Sequence, residues 1–400
     1  MVALALELQR RGHTPVIATS ESYREKIATT GVAFHASRPN ITPDDKDLLR
    51  AAMDEHGGPE YVIRRLMVPA VREMYADLMA AARGADLLVS AELVFAADSV
   101  AAKARIPWVV ATLAPLSFMS RYDPPILIQA PWLKRIATFS KPLYASLIAL
   151  SQWSIRHWTA PVDEMRRDLG LPAGPPGVFG PRKNAAALLA MFSSVVGAPQ
   201  PDWPANTRLT GFAFYDRHEP MPAALAAFLE AGEPPIVFTL GSAAVFDPGG
   251  FYRNSIEAAR LLGRRAVLLV GPEPPSLPAI VGRIAVAPYA PFSELFPRAA
   301  AIVHQGGIGT TAQTLRAGCP MVIVPFSHDQ PDNAARMVRL GVAEVIGRQQ
   351  YSAATAAKAL RNVLDDPSYA AHAARAAQQI ERENGAANAA DLIERVLSHS

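Results

Sequence analysis

Residues 304–333, HQGGIGTTAQTLRAGCPMVIVPFSHDQPDN, decide how the rest of this chain is read. In front of them, residues 299–303 form a short apolar run that reads as a buried parallel strand, and residues 310–317 read as a helix. Gly306, Gly307 and Gly309 fill the turn between the two. Glycine lets a ligand approach the backbone, and the free N–H groups and dipole of a helix start favour an anion, phosphate first. His304 at the strand end can donate a ring N–H to a phosphate oxygen, and the hydroxyls of Thr310 and Thr311 can add donors. Residues 320–325 (PMVIVP) read as the next strand, and Asp329 and Gln330 follow at the start of another helix. Ligands of open parallel sheets lie beyond the carboxyl ends of strands, so the phosphate cradle and the Asp–Gln pair should face one cleft. A carboxylate beside an amide suits sugar hydroxyls, which need acceptors and donors together.

Many folds use a lone Gly-rich turn for packing alone, and a His at a strand end is often structural. The ordered combination is more specific: His, GGxGTT, AGxP, then PxxxDQPxNA within thirty residues. Neither the dinucleotide fingerprint nor the P-loop fits it. The combination resembles the donor-binding motif of nucleotide-sugar glycosyltransferases of the GT-B fold, a group that includes glycopeptide-antibiotic, macrolide, sterol and rhamnolipid enzymes. The resemblance implies an α/β protein of two Rossmann-like domains facing a cleft. It also implies that His304, Gly306, Gly307, Gly309, Thr310 and Thr311 cradle the donor diphosphate and that Asp329 and Gln330 hold the sugar. Gln313 falls where plant relatives carry a ribose-binding Glu. Residues 201–216 (PDWPANTRLTGFAFYD) look like the bacterial branch.

Four hundred residues suggest two domains, each able to bury a good core. Half of the residues are hydrophobic, and a net charge of +3 gives no basic patch, which argues against a nucleic-acid partner. The single Cys319 excludes an internal disulfide and a Cys-based metal cluster and reads as a small buried filler; no metal is expected. No apolar run is long enough to span a membrane, and Glu7, Arg10 and Arg11 interrupt any signal-like start, so a cytoplasmic protein is expected.

The chain opens on residues 1–11, an amphipathic helix with Gly12 as its stop, where a doubly wound domain should open on a strand. The first strand and its loop are therefore expected to be missing, and the family's catalytic base, which that loop carries, is expected upstream of Met1. Helix and strand then alternate: 14–19 and 32–35 extended, two helices between 44 and 83, strand 86–90, helix 94–104, strand 107–112. Glu92, just past a strand end, could orient a base or be an ordinary helix-start carboxylate.

Residues 114–161 break the rhythm with six prolines among aromatic and apolar side chains. In the family this region forms the acceptor pocket, making Phe118, Tyr122, Trp132 and Phe139 its expected wall. Trp and Lys/Arg edging apolar segments could equally lie at a membrane surface, at the inner face of the membrane, or pack two helices together. Residues 199–222 are rich in proline and mark the boundary. This gives an acceptor domain (1–200), a linker (201–222), a donor domain (223–384) and a last helix (385–400), which GT-B proteins pack back on the first domain. Gly241 and Ser242 occupy the first strand-to-helix turn of the second half, a second anion site. Tyr289 matches the place where relatives stack an aromatic on the nucleotide base.

The expected activity is transfer of a hexosyl group from a UDP- or dTDP-sugar to a hydroxyl of an apolar small molecule or lipid, inverting the anomeric carbon and needing no cofactor. A non-catalytic nucleotide-sugar-binding auxiliary and a nucleotide-sugar epimerase are the rivals. The aromatic segment 114–161 speaks for an acceptor and against the epimerase.

Overall fold

Short apolar runs bounded by glycine and proline become the strands of two α/β units. The computed structural model describes residues 1–42, 45–173, 184–216, 219–241, 244–271 and 280–399. Unit 1 comprises residues 1–45, 57–215 and 383–400, and unit 2 comprises 46–56 and 216–382.

In unit 1, strands β1 (Val16–Thr19) and β2 (Ala33–Ala36) pair in parallel as one small sheet. Strands β3 (Leu88–Ala91), β4 (Trp108–Thr112), β5 (Ala187–Ala190) and β6 (Thr207–Leu209) form a second, all-parallel sheet in that order. The first helix, Val2–Arg10, has no side-chain cap at its start. Its Leu4 packs with Val109, Leu189, Ala389 and Ile393, so both terminal helices cover the same face of β4 and β5. Arg11 closes this contact with Asp391 at 2.6 Å and Glu394 at 2.8 Å. The helix Gly385–Ser398 meets the chain closely: a Cβ on Gly385 would lie 2.4 Å from the carbonyl oxygen of Gly211.

Two boundaries differ from the expected ones. The proline-rich tract 199–222 is not a plain linker, because its middle contributes β6 to the unit 1 sheet and the division falls between Tyr215 and Asp216. Residues 46–56, which carry the helix Lys46–Ala52, belong to unit 2 despite their place early in the chain. Met53 is buried in the unit 2 core, and Ser327 Oγ donates to the carbonyl of Asp54 at 2.7 Å.

Among the described residues, unit 2 is built on seven strands: β7 (Ile236–Thr239), β8 (Ala266–Leu269), β9 (Ile280–Val281), β10 (Ile284–Ala287), β11 (Ala301–His304), β12 (Met321–Ile323) and β13 (Ala343–Val345). Their order is β13-β12-β11-β7-β8-β10-β9, parallel throughout except for β9 against β10. Helices cover both faces, which is why these strands are continuous apolar runs rather than alternating ones. Ile236, Phe238 and Leu240 enter one core and Val237, Val267 and Ile302 the other. The strand order reverses between β7 and β11, which pair Ala301 with Ile236 and Val303 with Phe238. Such a reversal opens a crevice at the carboxyl ends of the two strands.

Candidate functional site

Both glycine turns of unit 2 leave the sheet at that reversal. Strand β7 runs into Leu240 and Gly241, and β11 runs through His304 into Gly306, Gly307 and the helix Ile308–Arg316. Gly306 has φ +87, and a Cβ there would stand 2.8 Å from Ile323 Cγ2, so conformation and space both exclude a larger residue. Gly307 caps the helix with extended backbone. The first intrahelical-type bond is Thr311 N–H to the Gly307 carbonyl, and no hydrogen bond among the described residues takes the N–H groups of Ile308, Gly309 and Thr310. Three unused donors at the positive end of a helix form an anion cradle.

His304 does not face that cradle. It is 0 % exposed, its Nδ1 accepts the Gly306 N–H at 3.0 Å, and its Nε2 meets Met321 Sδ at 3.4 Å. Both ring nitrogens are thus used inside the protein, correcting the expectation that this imidazole reaches phosphate. Burial pulls its pKa down to about 3, so the ring is neutral and shapes the turn. The folded-state value lies below the unfolded one of about 6.5, so the contribution is complete above that pH and is lost as pH falls toward the folded value. We predict that the unfolding free energy of the wild type falls between pH 7 and pH 4 by on the order of 3 kcal/mol more than that of His304→Asn. Parallel profiles for the two proteins would remove this assignment.

The side chain set among the cradle glycines is Gln305, which the sequence reading passed over. It is 93 % buried, its Oε1 meets no donor, and its Nε2 lies 2.4 Å from where a Gly241 Cβ would stand and 2.8 Å from a Gly307 Cβ. Glycine at both positions leaves room for this amide. The signal available was its position directly after the strand end and before GG, one residue beyond the His.

The loop after β12 reaches the same rim, since Ile323 pairs with His304. Asn333 Nδ2 donates to the Gly306 carbonyl at 2.9 Å and to Asp329 Oδ2 at 2.7 Å, tying the cradle to the carboxylate. Asn333 was also missed; it stands four residues after Asp329 on one helix face, a spacing that brings side chains together. Burial raises the pKa of Asp329, and the Asn333 amide opposes the rise. Gln330 spends its carbonyl oxygen on the Phe326 and Ser327 N–H groups at 2.8 and 3.2 Å, so it holds the loop instead of lying open to a sugar. His328, with φ +60, bonds through Nε2 to the Ala52 carbonyl at 2.8 Å.

The other expected donor residues are distributed as follows. Thr310 is buried at the helix start, and Thr311 is fully enclosed with its Oγ1 unpartnered, so its hydroxyl is not presented to the rim. Gln313 leans toward Asp216 at 3.4 Å, beside the Arg316–Asp216 pair. Tyr289 is 42 % exposed just beyond the end of β10. Ser242 lies outside the described residues.

In unit 1, Glu92 follows the end of β3 in a turn, not at a helix start, the next helix beginning only at Ala97. Its carboxylate accepts from Thr112 Oγ1 at 3.1 Å and Ser117 Oγ at 2.5 Å. The four expected acceptor residues are placed as follows. Phe118 stacks on Trp203 at 4.1 Å, Tyr122 lies under Lys141, and Trp132 and Phe139 point to solvent.

Comparison with known proteins gives this geometry its context. Residues 267–394 match the family model described as erythromycin biosynthesis protein CIII-like, C-terminal domain. O-mycaminosyltylonolide 6-deoxyallosyltransferase of Streptomyces fradiae is 32 % identical over 418 residues, spanning 98 % of this chain and 93 % of that protein. Glycosyltransferase GtfE of Amycolatopsis orientalis is 29 % identical over 351 residues, spanning 86 % and 81 %. Among solved structures, spinosyn forosaminyltransferase SpnP superposes with a TM-score of 0.74 over 99 % of this chain and 95 % of its own, at 17 % identity. The Streptomyces sp. SF2575 glycosyltransferase SsfS6, solved with thymidine diphosphate, gives 0.66 over 98 % and 95 %, at 19 % identity. The chain belongs to the family 1 glycosyltransferases of the GT-B fold, the group of the macrolide and glycopeptide enzymes.

Proposed function

We propose that this chain transfers a hexosyl group from a UDP- or dTDP-sugar, bound on unit 2, to a hydroxyl of an apolar small molecule or lipid, with inversion at the anomeric carbon. One observation carries the reading: the free N–H groups of Ile308, Gly309 and Thr310 open at the reversal between β7 and β11, beside the buried amide of Gln305. In the transfer the acceptor oxygen bonds to the anomeric carbon, the bond to the diphosphate breaks with its electron pair leaving on the diphosphate, and the hydroxyl proton passes to water. The diphosphate gains charge as it leaves, and donors fixed before the reaction stabilise that charge without reorganising. On this reading Gln305 supplies the side-chain N–H, His304 holds the turn, and Asp329, fixed by Asn333, accepts from sugar hydroxyls. No metal is called upon. The complex of SsfS6 with thymidine diphosphate supports a dTDP-linked donor.

The test is incubation of the full chain with UDP-glucose or dTDP-glucose and a panel of apolar alcohols, following free nucleoside diphosphate and glycosylated acceptor together. Both should appear in equal amounts. Asp329→Asn should lower turnover by at least about tenfold while nucleoside diphosphate affinity stays within about threefold, as expected for a group that meets the sugar and not the diphosphate. Epimerised donor without acceptor product, or an equal loss of nucleotide affinity, would refute the reading.

A further inference from the structure

We propose that the helical hairpin Leu133–Phe139 and Lys141–Ser154 of unit 1 is a docking surface for an anionic phospholipid membrane. The inference stands apart from the transfer reading, because it rests on a face of unit 1 that the donor site does not use.

The hairpin has a small core of its own. Tyr144 and Ile148, one turn apart, pack on Leu133 and Ala137 of the preceding helix. The opposite side is apolar and uncovered: Phe139 is 89 % exposed, Trp153 60 %, Leu150 58 %, Trp132 53 % and Leu143 50 %. Leu143, Leu150 and Trp153, seven and ten residues along one helix, share one side of it. A water-facing stripe of this kind is unusual on a soluble surface and marks a contact.

The charge around the stripe identifies the partner. Between Asp123 and Asp163 the sequence has no carboxylate side chain, whereas Lys134, Arg135, Lys141 and Arg156 all fall within it. The Arg156 guanidinium lies over the Trp153 ring at 4.1 Å, and the Lys141 ammonium over the Tyr122 ring at 4.3 Å. Aromatic rings at the edge of an apolar stripe with cations beside them match the boundary between acyl chains and anionic headgroups. No helix among the described residues is long and apolar enough to cross a membrane, so the contact would be interfacial.

The experiment is co-sedimentation of the full chain with phosphatidylcholine vesicles, with and without phosphatidylglycerol. The chain should sediment with the anionic vesicles, and less so as salt is raised. Phe139→Ser with Trp153→Ser should cut the partition by at least about tenfold, and Lys134→Glu with Arg135→Glu should abolish the preference for the anionic lipid. The substituted apolar side chains are exposed, so melting curves should match the wild type; Leu150→Lys serves as a second variant if the first pair melts early. Absence of sedimentation with anionic vesicles, or undiminished sedimentation of the variants, would overturn the proposal. A wild-type dimer that Phe139→Ser with Trp153→Ser converts to monomer, without any vesicle partition, would overturn it in favour of a second copy of this chain.

Discussion

Gly309→Asp is expected to lower affinity for a nucleoside diphosphate by at least about a hundredfold while leaving the melting temperature unchanged or slightly raised. Gly309 is the second residue of the helix Ile308–Arg316, it is exposed, and a Cβ built on it meets nothing within 4 Å. The substitution therefore causes no clash. Side chains on a helix tilt toward its N-terminus, so the new carboxylate enters the cradle. There it interacts favourably with the helix dipole, worth roughly 0.3–1 kcal/mol to the fold. It also repels the diphosphate, and two like charges about 4 Å apart at a protein surface cost about 4 kcal/mol, which more than covers the hundredfold loss. Gly309→Asn has nearly the same shape without the charge and should lose less than about tenfold. Equal losses in the two variants, measured by calorimetric titration, would mean that shape and not charge governs the site.

The second large effect is on stability. Asp332 and Arg336, one turn apart on the helix Gln330–Leu340, form an ion pair at 2.7 Å with both side chains almost wholly enclosed, at 2 % and 3 % exposure. Asp332→Ala removes this carboxylate from beside a guanidinium that stays buried, a change that costs about 3–5 kcal/mol. For a protein of this size that corresponds to a fall in melting temperature of roughly 5 °C. Replacing both partners, Asp332→Leu with Arg336→Met, removes the buried charges together and should cost markedly less than the single change. A double variant that melts no higher than Asp332→Ala would show that the pair is not the source of the effect.

The sequence revealed unit 2 well because its physics is local. Parallel strands covered on both faces must be apolar throughout, so β7, β11 and β12 stand out, and the glycines between β11 and its helix mark the rim. The choice between His304 and Gln305 was not legible. Consecutive side chains at a strand end point to opposite sides, and only the packed structure shows which one is walled in by Met321 and which one lies among the cradle glycines. Strand β6 was hidden for another reason. It is three residues long, only partly buried, and set in a tract dominated by proline. The membership of residues 46–56 in unit 2 depends on contacts with Ser327 and His328, more than two hundred and seventy positions away, and no local pattern announces such pairing. The acceptor residues came from the family resemblance and not from a local pattern, and in the structure Phe118 stacks on Trp203 while Phe139 faces water.

The central claim is that the turn between β11 and the helix Ile308–Arg316 holds the donor diphosphate through backbone N–H groups and Gln305. It is tested most directly by an amide-resolved NMR titration of the full chain with thymidine diphosphate, and with thymidine as the phosphate-free control. The account predicts that the diphosphate shifts the Ile308, Gly309 and Thr310 amides and the Gln305 side-chain amide, and that thymidine alone leaves them in place. Saturable binding of thymidine diphosphate with all four signals unmoved would contradict it.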